Sequence, residues 1–450
     1  MTERDMSAGR RSVNSARSTS IEGKPVQTKR DASLVPTFGV FCLLTFCFVA
    51  FSHKLPLGEV SAAGAIIAAA LRGKQFVIPP FYRWYLVYVA LGAIGLATTR
   101  YPSVVSAELL DVVKIALIGI AACNVISTPR SARAFVFWYL ALFALYPVRG
   151  ALYNYINGFT EFGRIAWNFF FRNPNDLAMA CFLPLGLCAY LIFTEKKMWI
   201  RWSALIGVVA ITGVQMLTQS RGAMLALGAG ILYFALHTER KVRTLMVIGA
   251  LCAVAIAATP GGVWSRVAGL SRLSSGDISQ VDPEGSAAGR STLMRLAWHT
   301  ALNNPIVGVG IGAYARENER IAGEDLSVGR DERGARDAHS TYIRAAAETG
   351  LAGGLCVLLN VLASIAFCRA SRKTILQKED KARWAMGLLA LEASMVAYAL
   401  GATVNSAEHS TFFMLQLVIP CALAAIVSSG VESPGRDLRP REQSMARPQG

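Results

Sequence analysis

The sequence lacks the cysteine spacing of a protein held together by disulfide bonds. It has nine cysteines but no Cys-x-x-Cys pair, and all nine fall within or at the ends of apolar runs. The long polar segment 260–349 contains none. This pattern excludes a disulfide framework, and we interpret the cysteines as small packing residues.

The polar segment 260–349 also lacks motifs for metal and phosphate binding. Its acidic residues form no metal-ligand pattern and include no Asp-x-Asp, so we expect no essential metal and no cofactor. Its glycine repeat, Gly308-x-Gly310-x-Gly312, has no strand before it and no Gly-Lys-Ser/Thr after it. The repeat is therefore not a phosphate-binding loop.

Charged residues are few, at 16%, whereas hydrophobic residues reach 53% and the mean hydropathy is +0.41. A chain of 450 residues with this composition is too apolar for a soluble enzyme and is typical of a polytopic membrane protein. The net charge of +16 would suit a nucleic-acid-binding protein. However, Lys and Arg stand in short connections between apolar runs, where topology signals belong, so we expect no nucleic-acid partner.

Apolar runs near the length of a membrane-spanning helix recur along the chain. About twelve spans are predicted, at 35–52, 57–71, 84–99, 105–126, 132–148, 177–194, 199–217, 222–237, 244–259, 350–368, 384–403 and 411–428. Residues 1–33 and 429–450 are rich in Arg and Ser, and we expect two disordered tails. The organisation is then a membrane domain over 34–428 between two tails, without a cleavable signal peptide.

The basic residues predict how the spans are oriented. With the amino terminus in the cytoplasm, every cytoplasmic connection is basic and the short outer connections carry few positive charges. Both tails are then cytoplasmic, and two long connections, 149–176 and 260–349, lie on the outer side. In the second, residues 290–298 have helical spacing, Asn304-Pro305 stops the helix, and a mobile stretch of mixed charge is expected at 316–337.

One histidine stands where the second long connection enters the membrane. Asp337 is a plausible N-cap, which would place His339 in the first turn of a helix. The positive end of the helix dipole disfavours a protonated imidazole, so the ring would be neutral and able to accept a proton near pH 7. A histidine that only caps the helix or packs at the membrane interface is the alternative.

Arginines on the predicted outer side are candidates for phosphate binding. Arg221 lies on a short outer turn, where its guanidinium can bind a lipid-carrier phosphate or extend to the lipid head groups. Arg290, which is predicted to open the loop helix with Ser291 as cap, can bind phosphate or be solvated. The first long connection adds Arg149, Arg164 and Arg172 with Asn173-Pro174-Asn175-Asp176.

Charged residues inside the predicted spans are weaker candidates. Asp111 and Lys114, near Glu108, have the spacing of a structural ion pair, with a proton or ion relay as the alternative. Glu392 stands alone in another span. On a short outer turn, His409 follows Glu408 and is a second candidate base.

Four segments together resemble the bacterial O-antigen ligase and polymerase superfamily of integral-membrane glycosyltransferases. They are residues 172–178, 220–223, 290–298 with 304–310, and 339–354. The resemblance implies an all-α polytopic membrane fold of the GT-C-like kind, with short helices in one long extracytoplasmic loop. It also implies transfer of a glycan from undecaprenyl pyrophosphate to a sugar hydroxyl on the periplasmic face of the inner membrane. The acceptor is lipid A–core in ligases and another lipid-linked glycan in polymerases.

The resemblance also assigns roles to residues. His339 corresponds to the essential loop histidine, a general base, and Arg221 and Arg290 correspond to arginines that engage the donor pyrophosphate. Secondary site residues would be Arg172, Asn175, Tyr342 and Arg344. The reaction would be metal-independent and would invert the anomeric centre. Ser340 departs from the Asn that family members often have after the histidine.

The sequence leaves the acceptor open. A ligase is favoured over a polymerase, and transfer to a protein side chain is a third possibility. From another class, a transporter of lipid-linked glycans would use the charges at 108–114, but the chain shows no internal repeat. A change of Asp111 to Asn would discriminate between the two classes, because it should affect only a transporter.

Overall fold

In the computed structural model, the described residues are 34–53, 55–161, 163–239, 241, 286–324, 333–377 and 382–430, and these ranges contain helices but no strand. The helices are α1 (Leu34–Ser52), α2 (Gly58–Ala70), α3 (Arg83–Gly95), α4 (Pro102–Val125), α5 (Pro129–Phe143), α6 (Arg149–Ile156), α7 (Pro174–Ala180), α8 (Phe182–Thr194), α9 (Met198–Leu217), α10 (Arg221–His237), α11 (Ser286–Asn303), α12 (Tyr314–Glu324), α13 (Thr341–Leu376), α14 (Ala382–Gly401) and α15 (Thr411–Ser428).

Eleven of the predicted spans coincide with helices in the described ranges, and the span predicted at 244–259 lies outside them. Six helical stretches there are long and apolar enough to cross a membrane, and α1, α2 and α10 are shorter apolar helices. The prediction of an all-α membrane protein is therefore supported. The number of about twelve spans stays a prediction.

The helix that starts at Pro129 continues further than predicted. A π-helical turn, Ala144–Val148, joins α5 to α6, and the continuous helix ends at Ile156. The turn contains Pro147, which has no N–H to donate to the helix, and such local widening accommodates it. The connection predicted to begin at 149 therefore starts only after Ile156.

The connections meet in two groups. Connections predicted on the outer side are joined by hydrogen bonds from Thr99 to Val309, from Arg164 to Thr218 and from Thr341 to Asn405. Connections predicted on the inner side are joined by bonds from Arg72 and Val77 to Asn124 and from Arg133 to Glu195. This grouping agrees with the two-sided arrangement that the basic residues indicate, and the side that faces the cytoplasm stays a prediction.

Two helices lie in the described part of the second long connection. Helix α11 includes the stretch 290–298 and ends one residue before Asn304. Arg290 is its fifth residue, so the expectation that Arg290 opens the helix and Ser291 caps it is wrong. Helix α12 occupies residues 314–324, so the first part of the stretch expected to be mobile is helical, and its mobility stays a prediction.

A glycine turn fastens these helices to α13. Gly308 and Gly310 have left-handed backbones with φ of 72° and 107°. Between them, the Val309 N–H donates to the carbonyl of Ala347, and the Gly310 N–H donates to that of Glu348, at 3.0 and 2.9 Å. A Cβ at Gly308 would lie 2.3 Å from the backbone of Glu348, so only glycine allows this contact.

The glycine turn generates a first prediction. We expect Gly308→Ala to lower the thermal unfolding temperature of the purified protein in detergent, because the left-handed conformation costs about 1–3 kcal/mol and the backbone clash adds to it. Gly213→Ala is the matched control, since a Cβ there meets nothing within 4 Å. Unfolding at equal temperatures in both variants would contradict the proposed close packing.

Candidate functional site

His339 lies before α13 and not in its first turn. The N-cap of α13 is Ser340, and the helix begins at Thr341. Asp337 is therefore not the N-cap, and its carboxylate accepts instead from the backbone N–H of Ala338 at 2.9 Å. The physical reason is that His339 itself has a left-handed backbone, with φ of 52°, which a continuous helix cannot include.

The surroundings of His339 keep its imidazole neutral. Burial lowers the pKa of His339, the Asp337 carboxylate opposes the shift, and the Arg290 and Arg336 guanidiniums lower the pKa further. The neutral ring agrees with the expectation, but burial and two arginines account for it in place of the helix dipole. No hydrogen bond joins the imidazole to another residue in the described ranges, so both ring nitrogens are available.

The structure brings Arg290 close to His339 and places Arg221 at the same end of the helix bundle. Half-buried Arg290 lies near enough for its charge to act on the imidazole. Arg221 is the first residue of α10, and a Cβ at its neighbour Gly222 would lie 2.5 Å from Val404. In the connection that contains Val404, backbone carbonyls also accept a hydrogen bond from the backbone N–H of Thr341.

The secondary candidates make mainly structural contacts. The Arg172 side chain is 78% exposed and lies 3.7 Å from the Glu161 carboxylate. Asn175 accepts a hydrogen bond of 2.9 Å from Arg164. The Tyr342 hydroxyl donates to a backbone carbonyl on α14 at 3.0 Å. Their roles as substrate ligands stay predictions.

Arg344 is the centre of a buried group of charges. Its Nε lies 3.0 Å from Glu348, 3.3 Å from Glu408 and 3.7 Å from Asp337. The side chains of both glutamates are fully buried. Since Asp337 is two residues from His339, this group supports the segment that carries the candidate base. The sequence indicates Arg344 and Glu408 separately, but not Glu348 and not their contact.

His409 belongs to the same group, and its pKa is raised there. Its Nδ1 lies 2.7 Å from Glu108, and its Nε2 lies 3.5 Å from Glu348. Burial and Arg344 lower the pKa of His409, but the carboxylates of Glu348, Glu108 and Glu408 outweigh them and raise it overall. A raised pKa reduces the neutral fraction that a base needs, so this environment makes His409 a weaker candidate base than His339. We refer to Arg344, Glu348, Glu408, His409 and Glu108 as the charge network.

Three members of the charge network have the geometry of metal ligands. Ligand atoms of Glu348, Glu408 and His409 lie within 4.8 Å of one another. However, the Arg344 guanidinium already contacts both carboxylates and supplies positive charge where a metal would. Burial raises the pKa of Glu408 to about 7, even though Arg344 and His409 oppose the shift. The cluster is therefore better described as an ion-pair network.

The other charged candidates lie elsewhere. Asp111 and Lys114 form the expected pair at 3.1 Å, and both side chains are more than half exposed. Glu392 does not stand alone as the sequence suggests, since its carboxylate lies 2.7 Å from Arg372 and accepts a hydrogen bond from Tyr233. Because Arg372 lies in the predicted inner group of connections, this cluster is remote from His339.

A comparison with protein families finds one match. Residues 206–358, about a third of the chain, match the family described as O-Antigen ligase. The matched segment includes Arg221, Arg290 and His339, and also Arg344 and Glu348, but ends before His409. No curated protein matches the chain significantly.

The charge network generates a second prediction. We expect Arg344→Met to destabilise the protein by about 3–5 kcal/mol, because it leaves buried carboxylates without a partner. Lys114→Met also breaks ion pairs, but exposed ones, and should cost at most about 1 kcal/mol. Thermal unfolding in detergent measures both. A loss no larger for Arg344→Met than for Lys114→Met would show that the network does not stabilise the fold.

Proposed function

We propose that the chain is a membrane glycosyltransferase of the ligase type, because residues 206–358 match the family described as O-Antigen ligase. It transfers a glycan from undecaprenyl pyrophosphate to a sugar hydroxyl of lipid A–core. The observation that carries the proposal is the neutral His339 imidazole with the Arg290 guanidinium beside it. In this proposal the protein lies in the bacterial inner membrane with both termini cytoplasmic and the site on the periplasmic face.

His339 acts as the general base. Its ring is neutral near pH 7 and has both nitrogens available, so it can take the proton from the attacking hydroxyl as the new glycosidic bond forms. The left-handed backbone of His339 turns the chain just before α13 and separates the ring from the helix. His409 is the poorer candidate because the surrounding carboxylates raise its pKa, whereas the pKa of His339 is lowered.

Arg290 and Arg221 bind the pyrophosphate of the donor. A guanidinium can donate two parallel hydrogen bonds to phosphate oxygens, and its charge stabilises the negative charge that develops on the leaving group. Undecaprenyl pyrophosphate is a good leaving group, so a direct displacement needs no covalent intermediate. Such a displacement inverts the configuration at the anomeric carbon.

A polymerase of the same superfamily is the second candidate, because the two activities differ in the acceptor and not in the base or the pyrophosphate ligands. A transporter has less support from the site. The Asp111–Lys114 pair, its best sequence evidence, is exposed on the surface of the bundle. A translocation pathway would require such charges to face an interior cavity.

The proposed function is tested by lipopolysaccharide gel profiles of a bacterial deletion strain complemented with wild type or His339→Ala. The deletion should leave unsubstituted lipid A–core, and wild type should restore the polymer. His339→Ala should fail to do so, because losing a general base lowers the rate by about 10²–10⁴-fold. Lipid A–core that carries a single repeat unit would indicate a polymerase, and full rescue by His339→Ala would exclude the mechanism.

The pKa of His339 generates a further prediction. Because only the neutral ring accepts a proton, kcat/KM should fall as pH drops through the His339 pKa, which lies below 6.5. Arg336 lowers this pKa, so Arg336→Gln should move the fall to higher pH. The matched control is Arg295→Gln, a change on α11 that should leave the profile in place. If Arg336→Gln leaves the pH profile in place, as the control does, the result would argue against His339 as the titrating base.

A further inference from the structure

A cavity of about 200 Å³ opens beside the charge network. Its polar lining includes the carboxylates of Glu108 and Asp176, the amide of Asn405 and the ring of His409. Its apolar lining includes the rings of Phe170 and Phe412, which contact each other edge to face with centroids 6.0 Å apart. The cavity therefore combines hydrogen-bonding groups with aromatic faces.

The cavity lies close to the candidate base. Asn405 lies in its wall, and the backbone carbonyl of Asn405 accepts hydrogen bonds from the backbone N–H and the hydroxyl of Thr341, two residues after His339. Arg344, also in its wall, contacts Asp337, two residues before His339. Asp337 is near enough to Asp176 for the two carboxylates to repel each other. The cavity and the His339 segment are thus direct neighbours.

The charge of the lining disfavours the donor pyrophosphate. Glu108 and Asp176 contribute carboxylates, and the two basic residues of the lining already have partners: Arg344 contacts Glu348 and Glu408, and His409 contacts Glu108. Phosphate oxygens would face these carboxylates at a cost in free energy. The arginines assigned to the pyrophosphate, Arg221 and Arg290, are not part of the lining.

The same lining suits a sugar ring. Carboxylate and amide oxygens accept hydrogen bonds from hydroxyls, and Asp176 retains acceptor capacity beyond its bond of 3.1 Å from Asn405. The electron-rich faces of Phe170 and Phe412 attract the C–H groups of a sugar face. The volume equals roughly that of six or seven water molecules at ~30 Å³ each, which is suitable for a single pyranose.

We propose that this cavity is the acceptor subsite, in which an uncharged sugar ring of the acceptor glycan binds between Asp176 and the Phe170 and Phe412 rings. The inference rests on the proposed function, because it names the substrate class of that same site. In this proposal the acceptor ring lies on the side of Asp176 and the aromatic rings, and the pyrophosphate lies on the side of Arg221 and Arg290. The base stands between the two substrates.

A binding experiment tests the subsite without turnover. The probe is core oligosaccharide released from lipopolysaccharide by mild acid, titrated against the full-length protein in nanodiscs. Phe170→Ala and Asp176→Asn should each weaken its binding about tenfold. Phe159→Ala changes another exposed phenylalanine of the same connection, outside the cavity, and should not change the binding. Inorganic pyrophosphate should not displace the probe. Equal binding by all variants, or displacement by pyrophosphate, would overturn the assignment.

Kinetics separate failure of this inference from failure of the proposed function. With lipid A–core and an undecaprenyl-pyrophosphate-linked glycan, Phe170→Ala should raise the KM for the acceptor about tenfold and leave the KM for the donor unchanged. A rise in the donor KM alone would refute the acceptor subsite while the transfer reaction stands. Absence of transfer by the wild-type protein would instead refute the proposed function.

Discussion

The buried pair of Arg344 and Glu348 is the interaction on which the site depends. Glu348 accepts the backbone N–H groups of Gly312 and Tyr314, at 2.8 and 3.4 Å, and so ties the turn between α11 and α12 to α13. Arg344 extends the connection to Asp337, beside the candidate base. One carboxylate and one guanidinium thus fix the helix of Arg290 relative to the segment of His339. Neither charge is tolerable without the other in this buried position.

The two histidines at this end of the bundle have opposite pKa shifts because different charged residues surround them. His339 is buried beside arginines, and its ring is neutral. His409 is buried beside Arg344 and three carboxylates, and the carboxylates raise its pKa. The sequence ranks His339 first by its place before the helix and by family resemblance, but it does not show the opposite pKa shifts, because these come from partners far away in the chain. The roles of the two histidines stay predictions.

Much of the architecture could be predicted from the sequence because apolar runs and basic connections are local signals. The glycine turn at 308–312 and the end of α11 before Asn304 are of this kind. The left-handed backbone of His339 could not be predicted, since no residue around it indicates that conformation. The charge network was also hidden: Glu108, His409 and Glu348 come from three distant segments. The one local signal was the spacing of Arg344 and Glu348, four residues apart on one helix face.

That spacing has a consequence for how the protein is made. A pair at positions i and i+4 can form within a single helix, without any contact to another helix. The segment 341–376 can therefore leave the translocon with its most costly charge already neutralised, which lowers the free energy of inserting it into the bilayer. Glu108 has entered the membrane by then, whereas Glu408 and His409 follow later in synthesis. Arg344 and Glu348 are thus matched before Glu408 arrives, whereas Glu108 meets its partner His409 only when the last connection has been made.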